Sequence, residues 1–178
     1  MQFLSDEGFV IKRVNFGEAD RYITLYSRNN GKLELIAKGV RKITSRRSSH
    51  IEPLHRIKFN SVKGKNSYIL TEAQLIHGFH DRDVTLEQLS SRFLICELMD
   101  KLCPINQQNE SIYDLLQYTL ARIEKGDVAT QIKNFQVELL THLGFWDNGK
   151  KFHDEHDMRN FIESIIEKRL KTKLYFEF

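Results

Sequence analysis

Short β-prone and alternating runs separated by turn residues occupy the first eighty residues, and apolar positions recur at helical spacing through the rest. Residues 8–14 (GFVIKRV) form a short β-prone run, and residues 15–20 supply turn chemistry around Gly17. In residues 21–28, Tyr22, Thr24 and Tyr26 alternate with Ile23 and Leu25. One of these faces belongs to a core, which places the tyrosines on the outer one. Asn29-Asn30-Gly31 is a hairpin turn, because Asn and Gly tolerate positive φ. Residues 32–38 alternate again, Leu33, Leu35 and Ala37 against Lys32, Glu34 and Lys38. Residues 39–53 have no clear period and are rich in Arg and Ser, which predicts a long, mobile basic loop. Two more strands, 54–63 and 67–73, flank a turn at Gly64. Five short strands predict a small closed barrel, and the pattern alone leaves an OB-fold and an SH3-like barrel both open.

The second half reads as four helices. Thr85 and Gln88 form a capping-box pattern ahead of a helix over 86–103, with Leu89, Phe93, Cys96 and Cys103 along one face and Leu94, Leu98 and Leu102 beside it. Pro104 stops it. A second helix spans 110–125 and ends at Gly126; Asp127 opens a third that runs to Gly144. Met158, Phe161, Ile162, Ile165, Ile166 and Leu170 give a fourth stripe over 157–171. The aromatic end, residues 174–178, is expected to dock on these helices. The chain as a whole is therefore α+β: a barrel over residues 1–80 followed by an all-α helical domain over 81–178.

Charge changes this picture. Residues 31–65 hold ten basic and two acidic side chains, a net +8, whereas the 178-residue chain carries only +3. The remainder is net acidic. Positive charge concentrated on one module suits a polyanion, and nucleic acid is the commonest. Aromatic residues interleave with the cations in the strands, the arrangement that single-strand binders use for phosphate contact and base stacking. Lys12, Arg13, Arg21, Lys38, Arg41, Lys42, Arg46 and Arg47 are the expected nucleic-acid contacts, with Tyr22 or Tyr26 adding stacking. About five phosphate contacts would give a salt slope near −3.5 on a single strand.

Other chemistry is thin. Cys96 and Cys103 lie seven residues apart, about 10 Å along one helix and too far to bridge, so reduced, core-facing thiols of a cytoplasmic protein are expected. No apolar run reaches the roughly 18 residues of a membrane span, and Asp6 and Glu7 sit where an export signal needs basic then apolar residues. His153-Asp154-Glu155-His156-Asp157 could ligate a divalent ion, but acids just ahead of a helix read first as caps. No catalytic motif, cofactor fingerprint or clean zinc spacing occurs, so no catalytic residue, metal site or cofactor is expected.

Taken together, several stretches resemble the RecO family of bacterial recombination mediators. They are Glu7-Gly8-Phe9-Val10-Ile11-Lys12-Arg13, Gly17-Glu18-Ala19-Asp20, Leu25-Tyr26-Ser27-Arg28, Gly31-Lys32-Leu33 and Ala37-Lys38-Gly39-Val40-Arg41-Lys42, with Ser45, Arg46 and Pro53 following. Glu97-Leu98-Met99-Asp100-Lys101-Leu102 and Leu139-Leu140-Thr141-His142-Leu143-Gly144-Phe145 extend the likeness into the helical half. The resemblance implies an N-terminal OB-fold that binds single- and double-stranded DNA, and a nucleoid-associated protein without a membrane anchor. It implies annealing of complementary strands and action with RecR to help RecA displace the single-stranded-DNA-binding protein. It also implies capture of that protein's acidic, apolar C-terminal tail, for which Lys101, Arg122, Lys133, Arg169 and Lys171 are the candidate cations. Many relatives carry a four-cysteine zinc module after Leu-Gly-Phe/Tyr; residues 146–157 here have no cysteine, so a structural zinc is not expected. Two other classes stay open on the residues alone. One is an RNA-binding or ribosome-associated barrel, since phosphate contacts do not read the sugar. The other is a metal-dependent hydrolase built on His153 to Asp157.

Overall fold

A computed structural model of the chain describes residues 3–43, 45, 47–65, 67–79, 84–147 and 151–175. These fall into two compact units, Met1–His80 with Pro104–Glu110, and Asp81–Cys103 with Ser111–Phe178.

The first unit is a closed barrel of β1 (Phe3–Phe16), β2 (Asp20–Ser27), β3 (Gly31–Ala37), β4 (Arg56–Lys63) and β5 (Tyr68–His77), in the order β1-β2-β3-β5-β4. All seams are antiparallel except β3–β5. This five-stranded closure with its crossed-over β5–β4 pair is the OB-fold. β1 is twice as long as the 8–14 alternation predicts. Its first half pairs with β4 and its second half with β2, and a bulge at Val10/Lys12 bends it from one neighbour to the other. Gly8 sits where the strands cross most closely, since a Cβ there would lie 2.8 Å from the Tyr26 carbonyl. The buried Asp6 carboxylate holds the β2–β3 turn by accepting from the Asn29 N–H (3.1 Å) and from the Asn29 and Asn30 side-chain amides (both 2.7 Å).

Val10, Ile23, Leu25, Leu35, Ile57 and Phe59 are core positions that the alternation supplies. Val40 and Ile51 join the same core, fully buried, from the stretch predicted to be a mobile loop. That expectation is corrected. Each buried aliphatic side chain contributes about 1.5–3 kcal/mol relative to exposure. The described residues between 38 and 55 thus form a cap anchored on the barrel. Leu54, also buried, takes φ 63° and donates its N–H to the Val10 carbonyl.

The segment Pro104–Glu110 belongs to the barrel although a helix precedes it. Ile105 bridges Lys32 in parallel, and the Tyr26 hydroxyl donates to the Asn109 carbonyl at 3.4 Å. Tyr26 and Lys32 face each other across β2–β3, and both are buried. Gly31, at φ +66°, passes so close beneath Gln107 that a Cβ would overlap its carbonyl.

The second unit holds α1 (Leu86–Leu102), α2 (Glu110–Glu124), α3 (Val128–His142) and α4 (Glu155–Ile166). Thr85 and Gln88 form the expected capping box. The buried stripe of α1 runs through Ser91, Leu94, Ile95, Leu98, Met99 and Leu102. Leu89 and Phe93, predicted to face a core, are exposed; apolar residues surround this helix, so periodicity does not select the buried face. Asp127 precedes α3 but makes no side-chain cap, and instead accepts from Gln131 Nε2 at 2.8 Å. α4 stops at Ile166, short of the predicted 171, because Glu167 turns left-handed. The chain then runs back along α1 and α4. Glu97 on α1 accepts from the Lys171 and Thr172 N–H groups, and Arg159 on α4 donates to the Leu170 and Thr172 carbonyls. Tyr175 is exposed, and residues 176–178 of the predicted aromatic dock lie outside the described residues.

Candidate nucleic-acid interface

The bulge in β1 sets which residues reach the outside. Beyond it, Lys12, Val14 and Phe16 point outward opposite Thr24, Tyr22 and Asp20 of β2. Phe16 and Tyr22 remain 46% and 41% exposed, with ring centroids 4.5 Å apart and planes inclined by 53°. Large exposed rings in contact at a hairpin end form a platform on which a base can stack. Gly17, at φ +56°, turns the hairpin tip.

The cap anchored on the barrel brings positive charge to the same corner. Asp20 Oδ1 accepts from the Gly39 N–H at 2.7 Å, the Arg41 N–H donates to the Ala19 carbonyl, and the Arg41 guanidinium donates to the Gly17 carbonyl at 3.0 Å. The 39–41 turn is thereby fastened to the β1–β2 tip. Lys38, Arg41 and Lys42 are all exposed there. Two rings from the β1–β2 hairpin and three cations from residues 38–42 thus meet at one corner.

The other expected contacts are placed differently. Tyr26 is 1% exposed and is not a stacking platform. The outward alternation is right, but Pro104–Glu110 covers its end of the sheet. Arg13 and Arg21 converge on Glu52, at 2.6 and 4.0 Å. Burial holds the Arg21 guanidinium below its ordinary value, Arg13 and Arg41 push the same way, and Glu52 opposes them. Arg47 is half-buried and donates to the carbonyls of Leu70, Thr71 and Lys38. Lys12 is exposed on the outer face, and Arg46 lies outside the described residues. Phe16 is one of the aromatics interleaved with cations in the sequence, although it is absent from the expected contacts.

The helical candidates occupy separate elements. Lys101 and Arg122 lie in the last turns of α1 and α2, with Arg122 over the Tyr118 ring at 5.6 Å. Lys133 is exposed on α3, and Arg169 and Lys171 follow α4. In the His153–Asp157 stretch, Asp154 caps α4 by accepting from the Asp157 N–H at 2.8 Å, and Asp157 accepts from the His153 N–H. No group of three or more metal-ligating side chains gathers among the described residues. The Cys96 thiol is pushed up to about 12 by burial, with Asp100 adding to it, which makes it a poor nucleophile. Among the described residues, no helix is long and apolar enough to cross a membrane.

Comparison with known proteins follows the two halves of the chain. Residues 1–79 match the family model "Recombination protein O N terminal", and residues 84–146 match "Recombination protein O C terminal". Similar curated proteins include "DNA repair protein RecO" of Acetivibrio thermocellus, 31% identical over 82% of this chain and 59% of that protein. Those of Caldicellulosiruptor saccharolyticus and Heliobacterium modesticaldum are 30% and 33% identical over the same share of this chain, covering 60% and 53% of their own lengths. The chain spans between half and three fifths of the relatives it matches.

Proposed function

The chain belongs to the RecO family, and from that premise we propose that it is a non-enzymatic DNA-binding protein of DNA repair and homologous recombination. It anneals complementary single strands and helps load RecA onto DNA coated with single-stranded-DNA-binding protein, with RecR and that protein's C-terminal tail as partners. The observation that carries this reading is the exposed Phe16–Tyr22 pair beside Lys38, Arg41 and Lys42. Stacking holds a strand through its bases in a sequence-tolerant way, and the cations neutralise its phosphates. Neutralisation also serves annealing, because two polyanions approach each other only when their mutual repulsion is screened.

The test is annealing of complementary labelled strands, with and without single-stranded-DNA-binding protein, alongside competition between matched DNA and RNA oligonucleotides. Accelerated annealing that persists on coated strands, with DNA preferred, supports the proposal. Equal or stronger capture of RNA without annealing replaces it with an RNA-binding barrel.

A further inference from the structure

The barrel closes most thinly where β3 meets β5. Two residue pairs register there, Leu35 with Tyr68 and Ile36 with Ile69, whereas each other seam registers seven or eight. Further along β3, Ile105 bridges Lys32, and the Asn106 N–H donates to the Lys32 carbonyl at 2.8 Å. Glu34 lies between these two contacts in the strand. It lines a cavity of about 390 Å³ together with Lys63, Lys65, Tyr68, Ile105 and Asn106. That volume is within the range of small-ligand sites, roughly 300–1,000 Å³.

Three kinds of chemistry meet in this cavity. Lys63 and Lys65 bring two exposed ammonium groups on the β4–β5 turn. Tyr68 and the half-exposed Ile105 form flat and aliphatic walls. Glu34 offers a carboxylate acceptor, and Asn106 an amide that both donates and accepts. No hydrogen bond or ion pair to another described residue engages the side chains of Glu34, Lys63, Lys65 or Tyr68. A plain anion site has no use for the aromatic wall and is opposed by the carboxylate. The same carboxylate opposes an acidic peptide.

We infer that this cavity holds one nucleotide of a single strand. Lys63 and Lys65 take its phosphate, Tyr68 and Ile105 pack on its base, and Glu34 accepts from an exocyclic amine. A carboxylate acceptor pairs with the cytosine exocyclic amine, a group that thymine lacks, leaving thymine only its ring N3–H to offer. The cavity is therefore a specificity element, favouring cytosine over thymine. The sheet places it across β3 from Tyr22, whose register partner on β3 is Ile36. A strand stacked on Tyr22 reaches it by crossing β3. The inference rests on the nucleic-acid reading of the barrel for its class of ligand.

The test uses the full isotope-labelled chain, titrated with the dinucleotides pdCpdC and pdTpdT, with pyrophosphate, and with an acidic aromatic peptide. We expect saturable amide shifts at Lys65, Ser67 and Asn106 with pdCpdC, at least threefold tighter than with pdTpdT. Lys63→Ala/Lys65→Ala should lose these shifts while keeping a folded spectrum, and Glu34→Gln should abolish the preference for pdCpdC. Equal response to pyrophosphate, or saturation by the peptide instead, overturns the inference. Shifts at Tyr22 and Arg41 with none at the cavity reject it and leave the proposed function standing. Silence at both places, with 12-residue oligonucleotides also failing to bind, rejects both.

Discussion

The Arg47 guanidinium donates to the Leu70 carbonyl at 2.8 Å and ties the basic cap to β5. The same side chain reaches the Thr71 and Lys38 carbonyls, so its charge is engaged in holding the fold. Hydrogen bonds from a charged donor contribute about 1.5–3 kcal/mol. Arg47→Ala is expected to destabilise the protein by about that amount, measured by urea unfolding. A change below about 0.5 kcal/mol would show that the cap is held without Arg47, by its buried residues and its bonds to the β1–β2 tip.

Lys38, Arg41 and Lys42 behave otherwise, being exposed at the hairpin corner. Replacing all three by Ala should leave the unfolding midpoint nearly unchanged, since exposed charges contribute little to stability. Binding to single-stranded DNA should weaken for all sequences alike. Its dependence on log[salt] should flatten by about 2, from 0.7 per phosphate contact. An unchanged slope would reduce these residues to solvated surface.

The aromatic pair predicts a loss that salt does not modify. Tyr22→Ala or Phe16→Ala should each weaken single-strand binding by about 1–3 kcal/mol, the worth of one stacked base. Tyr26→Phe removes only a hydroxyl bonded to Asn109 and should leave binding unchanged. Fluorescence titration separates the three, and equal effects from all of them would contradict the assignment.

Acid should loosen the end of the helical unit. Burial works to raise Glu97, but the Lys171 and Thr172 N–H groups and the Arg159 charge outweigh it and hold the carboxyl below its ordinary 4.5. A depressed folded value means the unfolded chain takes up the proton first. The contribution is therefore complete above about pH 4.5 and is lost as pH falls through the folded value. Protection of the Lys171 and Thr172 amides, taken relative to the intrinsic exchange rate at each pH, should fall over that window, and Glu97→Gln should show low protection already at pH 7.

Alternation located β2 and β3, β-prone runs between turn residues located the other three strands, and capping chemistry located Thr85 and the start of α1. What alternation cannot reveal is a cover supplied from elsewhere. Tyr26 reads as outward and is outward, yet a segment more than seventy residues later shields it. Val40 and Ile51 were hidden for the opposite reason, since a capping segment buries residues at irregular intervals set by its turns. The corner of Phe16, Tyr22 and Arg41 was legible only in composition. Its geometry depends on the bulge at Val10/Lys12 and on Asp20 and Gly17 receiving the cap, and neither has a local signature.

Because Ile105 to Asn109 pack on the barrel from beyond α1, the last contacts of the first unit are made by residues synthesised after that helix. A nascent chain that has emerged only through β5 still lacks the piece that shields Tyr26 and Lys32 and packs over Gly31. Tyr26 and Lys32 gain that cover only once the opening helix of the second unit has been made. Domains that fold as they emerge commonly close before their successors appear. Here the successor's first helix is translated before the barrel unit's last segment, so the finished barrel unit follows the start of the helical one.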